Sequence, residues 1–265
     1  MQQITGQQVL RLAASPTRKR QGSSTSNESP RPCPFNRCDG SGYWEEPSEF
    51  SVGPIQHECE CLSLHRAARM QDISRLNEMQ RNINFGNILI TSGTPKTKQM
   101  LAYAQEFVRN PVATMTFWGT CGNAKTMVLI AIVNECLIAG IDAVYTRLSD
   151  MANWLRQSFE HRVSTGEYDG SISAKINRLK EIRVLCIDEF DKCKDSEWLR
   201  EVKTDILDKR HEDGIAGLCG TVIAMNTDPK TIEVWLSSRF HDGRNIVFEN
   251  DDGDMRKEIK RVSAL

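Results

Sequence analysis

The stretch "ATMTFWGTCGNAKTMVLIA", residues 113–131, constrains the fold more than any other part of the chain. A β-rich apolar run enters a turn that holds Gly119 and Gly122, and it leaves as an apolar segment opening at Lys125. A buried strand that passes directly into a buried helix belongs on a sheet whose neighbouring strands run parallel, because the helix is the crossover. Four further segments have strand character: "DAVYTRL" (142–148), "RVLCIDEFD" (183–191), "GTVIAMNTDP" (220–229) and "RNIVFEN" (244–250). Between them lie "SDMANWLRQSFE", with Ser149 as its expected cap, and the amphipathic "SAKINRLKEI". The pattern predicts an α/β domain, a parallel five-stranded sheet layered between helices.

The turn itself nearly matches G-x-x-x-x-G-K-[ST], the loop whose backbone N–H groups cradle phosphates at a helix N-terminus. Gly119, Thr120, Cys121, Gly122, Asn123, Ala124, Lys125 and Thr126 occupy its positions, and Ala124 stands where the second glycine is expected. In that reading Lys125 reaches the β- and γ-phosphates of ATP and the Thr126 hydroxyl ligates Mg²⁺; the plain alternative is an ordinary tight turn. The added methyl at Ala124 would sit close to the phosphate path and weaken or slow the site. "VLCIDEFD" supplies the complement. A carboxylate closing a buried strand is costly without a cation, which makes Asp188 a magnesium residue and its neighbour Glu189 the group that polarises an attacking water. Asn226 ends another apolar strand, where its amide reaches a γ-phosphate and its water if that strand lies between the other two. Arg239, Arg244 and Arg256 are candidates for charge stabilisation from a neighbouring subunit.

A second chemistry lies upstream. Cys33-x4-Cys38 and Cys59-x-Cys61 place four of the nine cysteines in two close pairs around the turn "DGSGYW". Four thiolates suit a closed tetrahedral Zn²⁺ site, which docks partners rather than catalyses, with His57 or His65 as alternative ligands and uncoordinated thiols as the other possibility. Residues 1–31, rich in Ser, Gln, Asn and Pro, carry no periodicity that buries a face and read as a disordered arm. A helical stretch from about Leu62 to Arg81 follows the cysteines. The net charge of −1 argues against a globally basic nucleic-acid coat. No stretch has the apolar length of a membrane helix and the start lacks a secretory core, so a cytoplasmic protein is expected.

Together these residues resemble the AAA+ ATPases, and among them the DnaC/DnaI-type helicase loaders and the related IstB-type transposition ATPases. The similarity covers roughly residues 62–265, with the cysteine module as a second point of likeness to DnaI-type loaders. On it, "GTCGNAKT" corresponds to Walker A, "VLCIDEFD" to Walker B, Asn226 to sensor 1, Arg239 in "SSRF" to the arginine finger and Arg256 in "GDMR" to the sensor-2 arginine. The family fold orders the sensor-1 strand between the two Walker strands. The chain ends soon after Arg256, which implies a reduced lid. The implied layout is an arm (1–31), a zinc module (32–65), a helical linker (66–110) and an AAA+ domain (111–265). The implied function is ATP-dependent control of assembly on a replicative helicase and single-stranded DNA, with a homo-oligomer in the ATP state. Target marking in transposition, or a non-hydrolysing zinc-module adaptor, are the alternatives.

Overall fold

The computed structural model describes residues 33–48, 53–91, 94–164, 172–194 and 196–254. The expected disordered arm and Arg256 lie outside the described residues. The chain divides into two compact units, one through Asn82 and one from Ile83.

In the first unit an antiparallel hairpin, β1 (Tyr43–Glu46) and β2 (Ile55–Glu58), leads into helix α1 (Cys61–Ile73). The Cys59 N–H donates to the Gly42 carbonyl at 2.7 Å, closing the hairpin base. A Cβ at Gly42 would lie 2.8 Å from the Leu62 side chain, and its φ is +88°, so this turn requires glycine. The single helix expected to Arg81 is interrupted. Arg75 takes φ 52°, and Asn77 then opens the short α2 (Glu78–Arg81) with a reciprocal capping box to Gln80. The first helix thus ends in a left-handed cap at Arg75, with the Arg75 and Leu76 N–H groups donating back to the Asp72 and Gln71 carbonyls, a local event that apolar spacing does not register.

The second unit begins with α3 (Phe85–Thr91) and α4 (Pro95–Arg109), the latter capped by Thr94 with proline at its start. The sheet follows: β3 (Ala113–Trp118), α5 (Lys125–Ile138), β4 (Ala143–Arg147), α6 (Leu148–Ser164), α7 (Ile172–Glu181), β5 (Val184–Asp188), α8 (Glu197–Ile215), β6 (Gly220–Ala224), α9 (Val234–Phe240) and β7 (Ile246–Glu249). All pairings in this sheet are parallel, in the order β4-β5-β6-β3-β7. The strand that leads to Asn226, β6, therefore lies between the strands of the glycine turn and of Asp188. Every residue of β5 and β6 is buried, which explains why these strands read as unbroken apolar runs. Helix α6 starts at Leu148, so Ser149 lies inside it rather than capping it.

Arg210 of α8, 1% exposed, ties the lower end of the sheet together. Its guanidinium donates to the carbonyls of Leu179, Lys180, Ile182 and Gly220 and to the Thr221 hydroxyl. Carbonyl dipoles at the end of α7 thus take the place of a counter-ion.

Candidate functional site

The carboxyl ends of β3, β5 and β6 converge on the turn between β3 and α5. Gly119 leaves β3 at φ +123°, where a Cβ would sit 2.1 Å from the Asn250 carbonyl oxygen, so no other residue fits. Gly122 takes φ +82° and Ala124 takes φ 68°, both left-handed. Besides the methyl expected to lie close to the phosphate path, Ala124 carries a backbone cost, since a non-glycine residue in this region costs about 1–2 kcal/mol.

Lys125 opens α5 and is buried. Its Nζ donates to the carbonyls of Gly119 (2.8 Å) and Thr120 (2.6 Å) and to Asn123 Oδ1 (2.9 Å). Burial lowers its pKa from 10.5 to about 8, with Cys121, Asp188 and Asp191 pulling it back up. The Thr126 hydroxyl donates to Asp188 Oδ2 at 2.7 Å, so the two residues expected to share a magnesium ion already touch. Tyr145, from β4, donates to the same oxygen at 2.9 Å, and burial raises its phenol well above the ordinary value. A hydroxyl and a carboxylate at a helix N-terminus are the hard oxygen donors that suit Mg²⁺, and the residues fit.

Glu189 departs from a simple picture. It sits at φ 52°, and its carboxylate is engaged by Lys192 at 2.7 Å and lies 4.0 Å from Arg147. Asn226 stands two residues beyond β6. Its backbone N–H donates to Asp191 Oδ2 at 2.9 Å, and Thr227 gives the same oxygen two further bonds, from its N–H at 2.8 Å and its hydroxyl at 2.7 Å. These bonds hold the Asp191 carboxyl below the usual range against the opposing effect of burial. Arg239, on α9, is paired with Asp208 of α8 at 3.1 Å and half-exposed, and Arg244 is forked onto Asp242. Thr120 and Cys121 are exposed on the turn, and the Thr120 hydroxyl donates to the Asp252 carbonyl at 2.6 Å.

Sequence reading passed over Tyr145, Arg147, Asp191, Lys192, Asn250 and Asp252. For Tyr145 and Arg147 a signal existed: they share one face of β4 by its two-residue period, and Arg147 lies in register with Asp188. The others act through loops, where no period exists.

In the first unit the sulfurs of Cys33, Cys38, Cys59 and Cys61 all lie within 4.8 Å of one another. Cys33 and Cys59 are 3.6 Å apart, and Cys38 and Cys61 are 3.4 Å apart. Sulfurs about 2.3 Å from one tetrahedral zinc stand about 3.8 Å apart, whereas a disulfide needs about 2.05 Å, so the quartet fits the metal. His57 is not part of it: its ring stacks on Trp44 with centroids 4.6 Å apart. Burial pushes the Cys33 thiol up, but backbone N–H groups of Cys38, Arg37 and Phe35 outweigh it, and its pKa falls to about 6. The Cys59 thiol is raised and so is that of Cys61, the latter chiefly by burial, so that without a cation the quartet favours a single thiolate. A thiolate is the form a metal takes.

A parallel sheet in this order, with a glycine turn opening a helix beside a strand-ending acid, defines a P-loop ATP-binding domain of the AAA+ kind. DnaA of Aquifex aeolicus in its AMPPCP-bound form has the same fold, with TM-score 0.55 and 18% identity over 68% of this chain and 54% of that one. Domain III of the Thermotoga maritima replication initiation protein DnaA gives TM-score 0.53 and 19% identity over 68% of this chain and 72% of that one. The IstB-like ATP binding protein profile matches residues 55–242. This chain belongs to the IstB-like ATP-binding family. It is 25% identical over 154 residues to the replicative helicase loader DnaC of Escherichia coli K12, covering 55% of this chain and 59% of that relative's length. No helix among the described residues is long and apolar enough to cross a membrane.

Proposed function

We propose that this protein is an ATP-hydrolysing replication accessory factor of the helicase-loader type, which assembles as a homo-oligomer in the ATP state on a replicative helicase and single-stranded DNA. The observation that carries the reading is the 2.7 Å pairing of Thr126 with Asp188 across the mouth of a glycine turn. Family membership and the likeness to DnaC support it.

In this reading the N–H groups of residues 120–126 and Lys125 bind the phosphates, Lys125 exchanging its loop carbonyls for phosphate oxygens. Thr126 and Asp188 hold Mg²⁺, which when bound neutralises charge developing on the phosphoryl oxygens. Glu189 leaves Lys192 and orients the attacking water. As the water's oxygen bonds to the γ-phosphorus, the bond to the β–γ bridging oxygen breaks, ADP departs and Glu189 accepts the water's proton. Asn226 fixes the position of that water. Arg239, and Arg256 further on, stabilise the charge of the transferred group, Arg239 from a neighbouring protomer. Cys33, Cys38, Cys59 and Cys61 hold one zinc as a closed structural site whose hairpin docks the partner.

The test is ATP turnover, alone and with single-stranded DNA and a hexameric replicative helicase, in the intact chain and in Glu189→Gln. Turnover in the variant is expected to fall on the order of 100-fold with nucleotide affinity retained. Unchanged turnover removes Glu189 from its role, and no magnesium-dependent ATP affinity at millimolar ligand leaves an adaptor. ATP-dependent assemblies on duplex DNA, with no helicase complex, place the chain with the transposition ATPases instead.

A further inference from the structure

Ala124 presents a problem that the nucleotide site does not itself solve. Its φ of 68° and ψ of 5° are left-handed, at the residue that carries the chain from the turn into Lys125. A non-glycine residue disfavours this shape by roughly 5- to 30-fold, so it persists only where the surroundings over-determine it. The two peptide planes flanking Ala124 show how. On the helix side its carbonyl accepts from Val128 N–H at 3.0 Å, as the first bond of α5. On the turn side the plane carries the Asn123 carbonyl, and that oxygen accepts from Asn250 Nδ2 at 3.2 Å. Orienting this plane fixes φ at Ala124.

Asn123 returns the bond, its Nδ2 donating to the Asn250 carbonyl oxygen. Both side chains are buried, Asn123 at 1% and Asn250 at 0% exposure. Asn250 is itself held on every side. Its N–H donates to the Trp118 carbonyl at 2.8 Å, its Nδ2 also reaches Thr97 Oγ1 at 3.4 Å, and its Oδ1 accepts from Asp252 N–H at 3.1 Å. Asp252 in turn accepts from Thr94 at 2.6 Å and its carbonyl accepts from Thr120. The segment just after β7 is thus strapped across the back of the turn. Two buried amides joined reciprocally through each other's main chain are an unusual expense for a turn that could carry glycine, and nothing in the phosphate-binding reading calls for them.

We propose that Asn250 and Asn123 are positioning residues that hold Ala124 in the left-handed shape glycine adopts unaided, so that preorganisation of this phosphate loop resides in a clasp with the end of β7. The clasp rests on the reading of residues 119–126 as the ATP loop only for its effect on affinity; the restraint itself is a property of the ligand-free chain. It predicts that Ala124→Gly makes the clasp dispensable.

The experiment compares the full chain with Asn250→Ala, Ala124→Gly and the double variant. Two readouts are taken: amide hydrogen exchange across residues 120–126 without nucleotide, and equilibrium binding of a non-hydrolysable ATP analogue with Mg²⁺. Asn250→Ala is expected to speed loop exchange and weaken the analogue about tenfold each, and the double variant to return both to within about threefold of the parent. A general packing loss at Asn250 would lower thermal stability without being rescued at residue 124, so a double variant no better than Asn250→Ala overturns the proposal. Equal improvement by Ala124→Gly in both backgrounds also overturns it. Should Asn250→Ala not fold, Asn250→Leu, which fills the same volume but lacks the Nδ2 donor to the Asn123 carbonyl, is carried through the same cycle with the same criteria. If the parent binds no analogue, the exchange data alone decide the clasp, and only the ATP reading fails.

Discussion

Lys125 offers the sharpest test of the proposed site, because its environment gives two observables opposite signs. Burial lowers its pKa to about 8 from 10.5. An ATP loop needs the ammonium, so affinity should be constant below pH 8 and fall above it. At pH 9 about one chain in ten keeps the proton, and the dissociation constant should rise about tenfold, with a further tenfold for each pH unit. The ligand does not confuse the result, since its terminal phosphate loses its last proton near pH 6 to 7. Stability moves the other way. The folded chain holds this proton more weakly than the unfolded chain, so the penalty of burying the charge is full below pH 8. It is relieved as pH rises from 8 to 10.5, and this group's contribution to stability grows across that window. The assay is equilibrium binding of a magnesium-bound, non-hydrolysable ATP analogue from pH 6.5 to 9.5, paired with urea unfolding of the parent and Lys125→Met over the same range. The difference between the two unfolding series isolates Lys125 from other titrating groups. Lys125→Arg, whose guanidinium stays charged, should bind more weakly at every pH but without the inflection. A flat affinity to pH 9.5, or an inflection that survives in Lys125→Arg, refutes the reasoning.

Asp191→Ala removes the acceptor of three bonds that hold the Asn226–Thr227 corner; kcat for ATP should drop roughly 10- to 100-fold while KM changes little, checked by steady-state kinetics. Cys38→Ser should abolish a stoichiometric zinc measured by atomic absorption and loosen the unit through Asn82, with nucleotide binding by the second unit retained. Arg210→Ala strips the donor from four carbonyls and a hydroxyl; urea unfolding should report a loss of about 3 kcal/mol or more.

The parallel sheet was legible because burial on both faces leaves β5 and β6 as largely apolar runs, whereas the place of the strand leading to Asn226 between the other two came only from the family resemblance. The cysteine quartet was legible for a related reason: thiols are few, and their pairs flank one glycine turn. Element ends were less so. The break at Arg75 and the start of α6 at Leu148 are decided by local backbone competition, which hydrophobic spacing does not encode. Within the candidate site, residues on strand ends and in the glycine motif could be named, since strands and motifs have fixed intervals. Lys192 beside Glu189, Asp191 beneath Asn226, and Asn250 behind the turn could not. Each meets its partner through a loop, and Asn250 lies 127 residues from Asn123. At Ala124 the sequence displays the missing glycine but not the torsion that glycine serves, which only the structure adds.

The contact between Gly119 and the Asn250 carbonyl also sets an order of events during synthesis. Strands β3 to β6 are complete once residue 224 has emerged, and they can pair with one another at that stage. The turn cannot finish then, because the carbonyl it packs on and the amide that orients residue 124 arrive 26 residues later, by the count from Ala224 to Asn250. A nascent chain can therefore have its scaffold before its loop is complete, the remaining contacts arriving with the segment that follows β7.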